Sequence, residues 1–110
     1  MTENKSDLRC RLWEDGHTLF GNQSTEVFLN PSQVKHFVNW LNLNCEKLQN
    51  KQFIPHTENE LLEMGMSSVN GNTMIKTNRD VFLCNPEDLT RIKEWINLHR
   101  KTIGVQEVKS

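Results

Sequence analysis

The feature that most constrains the fold is an internal similarity between the two halves of this 110-residue chain. When residues 15–44 are compared with the chain fifty-five residues further on, seven of the thirty positions are identical. The identical pairs are Gly16 and Gly71, Thr18 and Thr73, Asn30-Pro31 and Asn85-Pro86, Trp40 and Trp95, and Asn42-Leu43 and Asn97-Leu98. A fixed internal period indicates one supersecondary unit used twice. Two similar but unrelated local structures would give the same modest identity.

Each half has the pattern strand, turn, strand, helix. The apolar residues Leu8, Cys10 and Leu12 alternate with Arg9, Arg11 and Trp13, which is the period-two pattern of a half-buried strand. Asp15-Gly16 and Asn70-Gly71 predict hairpin turns, because both positions of each pair tolerate a positive φ. A one-residue gap then aligns Val27-Phe28-Leu29 with Val81-Phe82-Leu83 as the next strand of each half.

A helix is expected to follow each of these strands. Asn30 and Asn85 are typical N-caps, and each precedes a proline at the first helical position. Gln33 completes a capping-box pattern in the first half. The apolar spacing predicts helices over about 31–48 and 86–101, and Gly104 is suited to end the second.

These elements predict an α+β protein with an antiparallel sheet of five or six short strands, two helices on one face, and two pseudo-symmetric β-hairpin-helix repeats. We expect a single domain over 1–110, with repeat one at about 7–49, a linker at about 50–59, repeat two at about 60–103 and a frayed tail at 104–110. The first strands of the two halves do not align in the same phase. The ungapped comparison aligns Arg9 and Arg11 with Met64 and Met66, so that either a bulge intervenes or the similarity stops short of the first strand.

Composition and charge narrow the class of protein. Thirteen basic residues against fourteen acidic ones disfavour a generic duplex-DNA binder and an acidic DNA mimic. The polar N-terminal segment and the short apolar runs predict neither a targeting peptide nor a membrane span. Three widely spaced cysteines favour a reduced, cytoplasmic protein, and no Cys or His spacing is typical of a metal site. We therefore expect no metal and no cofactor.

Catalysis is not indicated by any motif. No cysteine has the sequence context of an activated nucleophile, and the five glycines form no phosphate-binding loop. We expect no catalytic residues and a protein that is not an enzyme. The alternative is a Cys84-dependent enzyme, because Cys84 precedes a helix cap where the helix dipole can lower the pKa of a thiol.

Two groups of residues are candidates for binding. Trp40, Leu43, Trp95 and Leu98 lie off the apolar stripes of the helices at matching positions, so we expect a surface for a protein partner or a homodimer. The alternative is that the tryptophans pack within the chain. Arg9, Arg11 and Trp13 project from one face of the first strand, and Arg79 could join them to bind phosphate and a base. The alternative there is a solvated outer face.

The sequence thus predicts a small, non-enzymatic, intracellular binding protein. It would act sterically as an inhibitor or adaptor on a protein partner, and its size and asparagine content suit a phage or mobile element. Binding of a nucleotide or single-stranded nucleic acid on the open sheet face is the second hypothesis. Neither hypothesis identifies the partner.

Overall fold

Seven short strands and three helices make up the described part of the chain, residues 7–109 of a computed structural model. The strands are β1 (Arg9–Leu12), β2 (Thr18–Gly21), β3 (Glu26–Leu29), β4 (Ile54–Asn59), β5 (Met64–Val69), β6 (Asn72–Thr77) and β7 (Val81–Cys84). The helices are α1 (Pro31–Leu43), α2 (Cys45–Gln49) and α3 (Pro86–Ile103). The mixed α+β class is confirmed. The strands form two antiparallel sheets, β1-β2-β3 and β4-β5-β6-β7, rather than one sheet of five or six strands.

The long helices begin where the Asn-Pro pairs predict. Asn30 Oδ1 accepts a hydrogen bond from the Gln33 backbone N–H at 2.8 Å, and Gln33 Oε1 accepts from the Asn30 N–H at 2.8 Å, so the capping box is complete. Asn85 Oδ1 accepts from the Asp88 N–H at 2.8 Å in the same way. These bonds satisfy amide groups that an α-helix leaves unpaired at its start.

The first helix is shorter than the predicted 31–48 because it breaks at Asn44. There the side-chain amide and the backbone N–H both donate to the carbonyl oxygen of Trp40, at 2.9 and 3.0 Å. An asparagine that bonds back to its own turn competes with helix continuation. The chain therefore leaves α1 at Leu43 and starts the short α2 at Cys45.

The hairpin turns explain why the first strands seemed out of phase. Asn70 and Gly71 have φ of 55° and 85°, which is the two-residue turn expected for Asn-Gly. Only Gly16 has a positive φ in the first turn, and that loop is one residue longer, closed by the Trp13 N–H to the His17 carbonyl at 2.9 Å. The extra residue places Cys10 opposite Phe20 in the same manner as Met66 opposite Ile75.

The next strands follow the ungapped comparison and not the gapped one. Thr18 pairs with Leu29 in the first sheet, and Thr73 pairs with Cys84 in the second, so the partners are fifty-five residues apart in both strands. Phe28 therefore corresponds to Leu83, and both are exposed, whereas Phe82 is fully buried. Position in the Val-Phe-Leu motif does not decide which face a side chain occupies.

One core serves both sheets and both long helices. The inward residues of the strands, such as Val27, Leu29 and Phe82, belong to the same buried cluster as Phe37 of α1 and the α3 side chains. Helix α1 contacts β3 and β5, and α3 contacts β6 and β7. Helix α1 therefore lies on the inner side of both sheets and α3 on the inner side of the second, which leaves the opposite side of the strands open.

The segments predicted as linker and tail are both structured. Within 50–59 the chain forms β4, which pairs with β5 and has an irregular register between Ile54 and Thr57. After Gly104 the tail is not frayed, because Val105 and Val108 are buried and the tail backbone is bonded to Asn42 and Asn97. No helix within residues 7–109 is long and apolar enough to cross a lipid bilayer.

Candidate functional site

The candidate site is the side of the strands that the helices do not cover, called here the open face. Its outward side chains include Arg11, Trp13, Leu19, Phe28, Val81 and Leu83, and the strand registers place the charged residues Arg9, Glu26 and Lys76 on the same side. Alternation places them there, because Val27, Leu29, Phe82 and Cys84 on the same strands point into the core. Trp13, Phe28, Val81 and Leu83 keep between 40% and 50% of their surface accessible. Strands β3 and β7 approach each other where the two sheets meet, without pairing as neighbours in one sheet.

A run of ring contacts orders the first sheet's part of the open face. The Trp13 and Phe28 rings meet edge to face with centroids 5.3 Å apart, and His17 stacks on Phe28 at 5.2 Å. The Arg11 guanidinium carbon lies 5.5 Å from the Trp13 ring centroid, within cation–π range. Cross-strand pairing of Arg11 with Leu19, and of Leu19 with Phe28, aligns these side chains. The cluster therefore offers an exposed aromatic surface with one cation attached to it.

A cleft of about 270 Å³ adjoins this cluster and contains Arg79. Its lining includes His17, Phe28, Asn78 and Arg79, so Phe28 connects the Trp13 cluster to the cleft. Arg79 belongs to the β6–β7 turn, which is held by the Thr77 hydroxyl accepting from the N–H groups of residues 79 and 80 at 3.1 and 3.0 Å. The structure thus brings three of the predicted residues, Arg11, Trp13 and Arg79, to one region around Phe28.

Arg9 lies beside a carboxylate on the same face. Its Nη2 lies 3.6 Å from Glu26 Oε1, on a strand two positions away in the sheet. Gly21 makes this crossing possible, since a Cβ there would stand 3.0 Å from Arg9 Nη2. The guanidinium of Arg9 is therefore already partnered by a carboxylate, although both side chains are about half exposed and such a pair contributes little stability.

The four residues predicted to form an interface on the helices differ in exposure; they are Trp40, Leu43, Trp95 and Leu98. Trp40 is only 6% exposed and stacks on Phe37 at 6.3 Å, so it belongs to the core. Trp95 is half-buried, and its ring meets Phe20 edge to face at 5.7 Å. Leu43 and Leu98 are 85% and 81% exposed. The tryptophans thus pack within the chain, which leaves only the two leucines as surface residues.

Burial disfavours the thiolate form of Cys10 and Cys84. Burial, with a smaller contribution from the nearby Asp88 carboxylate, raises the pKa of Cys84 to about 12. The same two causes raise the pKa of Cys10 to about 11. The lowering expected from the helix N-terminus is outweighed at Cys84, because desolvation penalises the thiolate. Among residues 7–109 no three His, Cys, Asp or Glu side chains are grouped as metal ligands would be.

Sequence reasoning missed Phe28, Val81 and Leu83. The sequence contained a usable signal, which is the distance of each strand residue from the helix cap that follows it. Phe28 precedes the cap Asn30 by two residues, and Leu83 precedes the cap Asn85 by two residues. The ungapped alignment matches Phe28 with Leu83 and predicts that both side chains point to the same face, whereas the gapped alignment matches Phe28 with Phe82 and hides this. Comparison with family models, with curated proteins and with solved structures gives no match for this chain.

Proposed function

We propose that the chain is a non-enzymatic binding protein that engages a partner protein through the open face and acts sterically, as an inhibitor or adaptor. The observation that supports this best is the set of four large apolar side chains, Trp13, Phe28, Val81 and Leu83, exposed on the open face. Exposed contiguous apolar surface on a small protein is typical of interaction sites, and aromatic and arginine residues dominate interface energetics.

The proposed interface lies on the strands, whereas the sequence predicted one on the helices. Leu43 and Leu98 are exposed, but the buried ring of Trp40 is not available to a partner. The open face, by contrast, combines aromatic anchors with Arg11 at the edge, which resembles the apolar centre and polar rim of protein interfaces. Location in the cytoplasm and origin in a phage or mobile element are part of this proposal.

The repeat is part of the proposal too. The two turns at residues 22–25 and 77–80 each lie against the start of the other half's helix, which supports two equivalent units related by a pseudo-twofold axis. The equal strand registers support the same reading. We infer that strand-turn-strand-helix units related by duplication form one continuous binding face.

An affinity comparison with matched variants tests the open face. Lysate from the native host is passed over the wild type, a Phe28→Asp/Leu83→Asp variant and a Leu61→Asp control, and bound proteins are quantified by mass spectrometry. Leu61 is 96% exposed but lies in the β4–β5 turn, outside the open face. A partner retained by the wild type and the control, and lost from the double variant, supports the proposal. Equal retention by all three contradicts it.

Nucleotide or single-stranded nucleic acid binding is the second candidate function. It is favoured by the placement of Arg11 on the Trp13 ring and of Arg79 in the cleft beside Phe28, because aromatic rings stack on bases and guanidinium groups pair with phosphate. The net charge of −1 makes a small phosphorylated ligand a better fit than a long strand.

A titration with nucleotides and short single-stranded oligonucleotides distinguishes the two functions. Binding on the open face would quench Trp13, the most accessible tryptophan, and would weaken with added salt. A Trp13→Phe variant identifies the source of the quenching, and Arg79→Gln tests the phosphate contact. No quenching and no thermal stabilisation with any of these ligands would remove this candidate.

A further inference from the structure

Strand β1 is the outer strand of the first sheet, and within residues 7–109 no other strand pairs with its outer edge. The Trp13 N–H donates to the His17 carbonyl at 2.9 Å, which fixes the phase of the hydrogen bonds between β1 and β2. Because bonded and non-bonded pairs alternate along an antiparallel ladder, Arg11 also bonds to β2. The N–H and C=O groups of Cys10 and Leu12 therefore point away from β2, along the outer edge.

Strand β5 of the second half corresponds to β1, and its outer edge is paired. Strand β4 lies on that edge, and the inward residues of β5 are at most 1% exposed; they are Met64, Met66 and Ser68. Their counterparts in β1 are only partly buried against the core; they are Leu8, Cys10 and Leu12. A strand placed on β1 as β4 lies on β5 would remove this apolar surface from water.

Two other edges of the sheets are protected against an added strand. The β2–β3 turn bonds both main-chain groups of Leu83 in β7. Strand β4 contains Pro55 and has an irregular register between Ile54 and Thr57, and both features obstruct pairing at an edge. Strand β1 has neither feature, since its register with β2 is continuous over four residue pairs. The outer edge of β1 is therefore the better acceptor for a strand.

The charges on β1 indicate which strand would fit. Arg9 has Glu26 as a partner at 3.6 Å, whereas Arg11 takes part in no ion pair within the described part of the chain. Because Arg11 bonds to β2, a residue opposite it on an added strand would belong to a non-bonded pair, where side chains are closest. Symmetric pairing with a second copy, centred on Cys10 or Arg11, would place arginines opposite each other, which is unfavourable. A carboxylate opposite Arg11 would be favourable.

We infer that the outer edge of β1 binds an extended segment of a partner protein as an additional antiparallel strand. The segment would direct apolar side chains toward Cys10 and Leu12 and a carboxylate side chain toward Arg11, and its main chain would bond to the edge. This inference goes beyond the proposed function, because the edge recognises main chain in the plane of the sheet and the open face offers side chains. Either can fail without the other.

Titration of the full-length chain with two blocked heptapeptides tests the inference. The probes are Thr-Val-Glu-Val-Glu-Val-Thr and its counterpart with lysine at both glutamate positions, at up to about 2 mM. We expect about three- to tenfold tighter binding of the glutamate peptide to the wild type. NMR hydrogen exchange at saturation should slow at the amides of Cys10 and Leu12, and the amide of Arg11, already bonded to β2, should not change.

Three variants identify the edge as the binding site. Arg11→Glu should reverse the preference, so that the lysine peptide binds more tightly. Leu12→Pro removes an outward N–H and should weaken binding about fivefold or more, whereas Leu12→Val keeps the N–H and should bind like the wild type. Circular dichroism checks that both variants fold, and the Arg11→Glu reversal tests the site independently of the proline. Leu83→Asp should bind the peptide like the wild type, which separates the edge from the open face.

The result that would overturn the inference is equal binding of the two peptides, no binding of either, or unchanged exchange at Cys10 and Leu12. Light scattering after size exclusion tests the other occupant, a second copy of the chain. A wild-type dimer that Leu12→Pro abolishes would overturn the inference as well, because the edge would then belong to self-association.

Discussion

The side-chain amide of Asn22 donates a hydrogen bond of 2.7 Å to the carbonyl oxygen of Leu83 and so joins the two sheets. The Leu83 N–H in turn donates to Thr25 Oγ1 at 3.1 Å. The β2–β3 turn thus satisfies both polar groups on the free edge of β7 at that residue. An edge strand that is covered in this way cannot pair with another chain there.

Replacement of Asn22 should therefore destabilise the protein more than an exposed turn residue normally would. Asn22→Ala removes four side-chain hydrogen bonds, three of which organise its own turn through residues 24 and 25. We expect the free energy of unfolding, measured in urea, to fall by about 1–3 kcal/mol. Asn22→Asp keeps the acceptor and loses only the donor to Leu83, so its cost should be smaller. Gln23→Ala, in the same turn, serves as the control and should leave the midpoint unchanged.

Substitution by serine should destabilise the protein strongly at Trp40 and hardly at all at Leu43. Trp40 is buried, so Trp40→Ser should lower the free energy of unfolding by about 3–5 kcal/mol. Leu43 is 85% exposed, and Leu43→Ser should change it by no more than about 0.5 kcal/mol. Chemical denaturation followed by circular dichroism measures both. A small loss in the free energy of unfolding for Trp40→Ser would mean that this ring lies at the surface, contrary to the structure.

The two turn glycines should be equally sensitive to alanine. Gly16 and Gly71 have φ of +92° and +85°, and a Cβ at either would stand 3.0 Å from the Cγ of the proline that starts a helix, Pro31 or Pro86. Left-handed backbone penalises a Cβ, so each Gly→Ala variant should cost about 1–2 kcal/mol. Thermal unfolding of both variants provides the comparison, and Gly104→Ala, where the space is open, separates the conformational cost from the contact. Unequal costs at Gly16 and Gly71 would argue against equivalent hairpin-helix junctions.

Local features of this fold could be predicted from sequence, whereas its assembly could not. The caps at Asn30 and Asn85 and the turn at Asn70-Gly71 depend on residues within three positions of one another. The packing of the two sheets against each other involves contacts such as Asn22 with Leu83, sixty-one residues apart. No local pattern encodes such a pairing, since an exposed asparagine in a turn looks the same with or without it.

The candidate site was predictable to a similar extent. Alternation correctly placed Arg11 and Trp13 on an outer face, because strand periodicity is local. Trp40 lies off the apolar stripe of α1 and is nevertheless buried, since this helix contacts both β3 and β5 and is covered over a wide arc. The position of Arg79 beside Phe28 results from packing of one half's turn against the other half, which periodicity does not describe.

Cys84 should resist alkylation at neutral pH. Its thiol is buried, and its pKa of about 12 leaves almost no thiolate at pH 7. Iodoacetamide labelling followed by peptide mass spectrometry should modify Cys84 at a small fraction of the rate seen in urea. Because the pKa is raised from its ordinary value of 9.0, the protonated thiol favours the folded state, and stability should fall as pH rises above about 9. Cys84→Val should lose less stability in alkali than the wild type, and the raised pKa of Cys10 accounts for the loss that remains. Rapid labelling of the native protein at pH 7 would restore the Cys84 enzyme hypothesis.

Acid should loosen the first hairpin loop through Asp15. The hydrogen bond from the His17 backbone N–H, at 3.1 Å, and the His17 ring, whose Nδ1 lies 3.0 Å from Asp15 Oδ1, lower the pKa of the Asp15 carboxyl below its ordinary value of 3.8. A depressed pKa in the folded state means that the carboxylate supports the loop at pH values above about 4, and that this support is lost as pH falls through the folded pKa. NMR amide shifts of residues 15–17 between about pH 2 and 5 should titrate in the wild type. In Asp15→Asn, which keeps an acceptor without the charge, the acid transition of the His17 amide should disappear, and its persistence at full amplitude would show that another carboxyl group controls the loop.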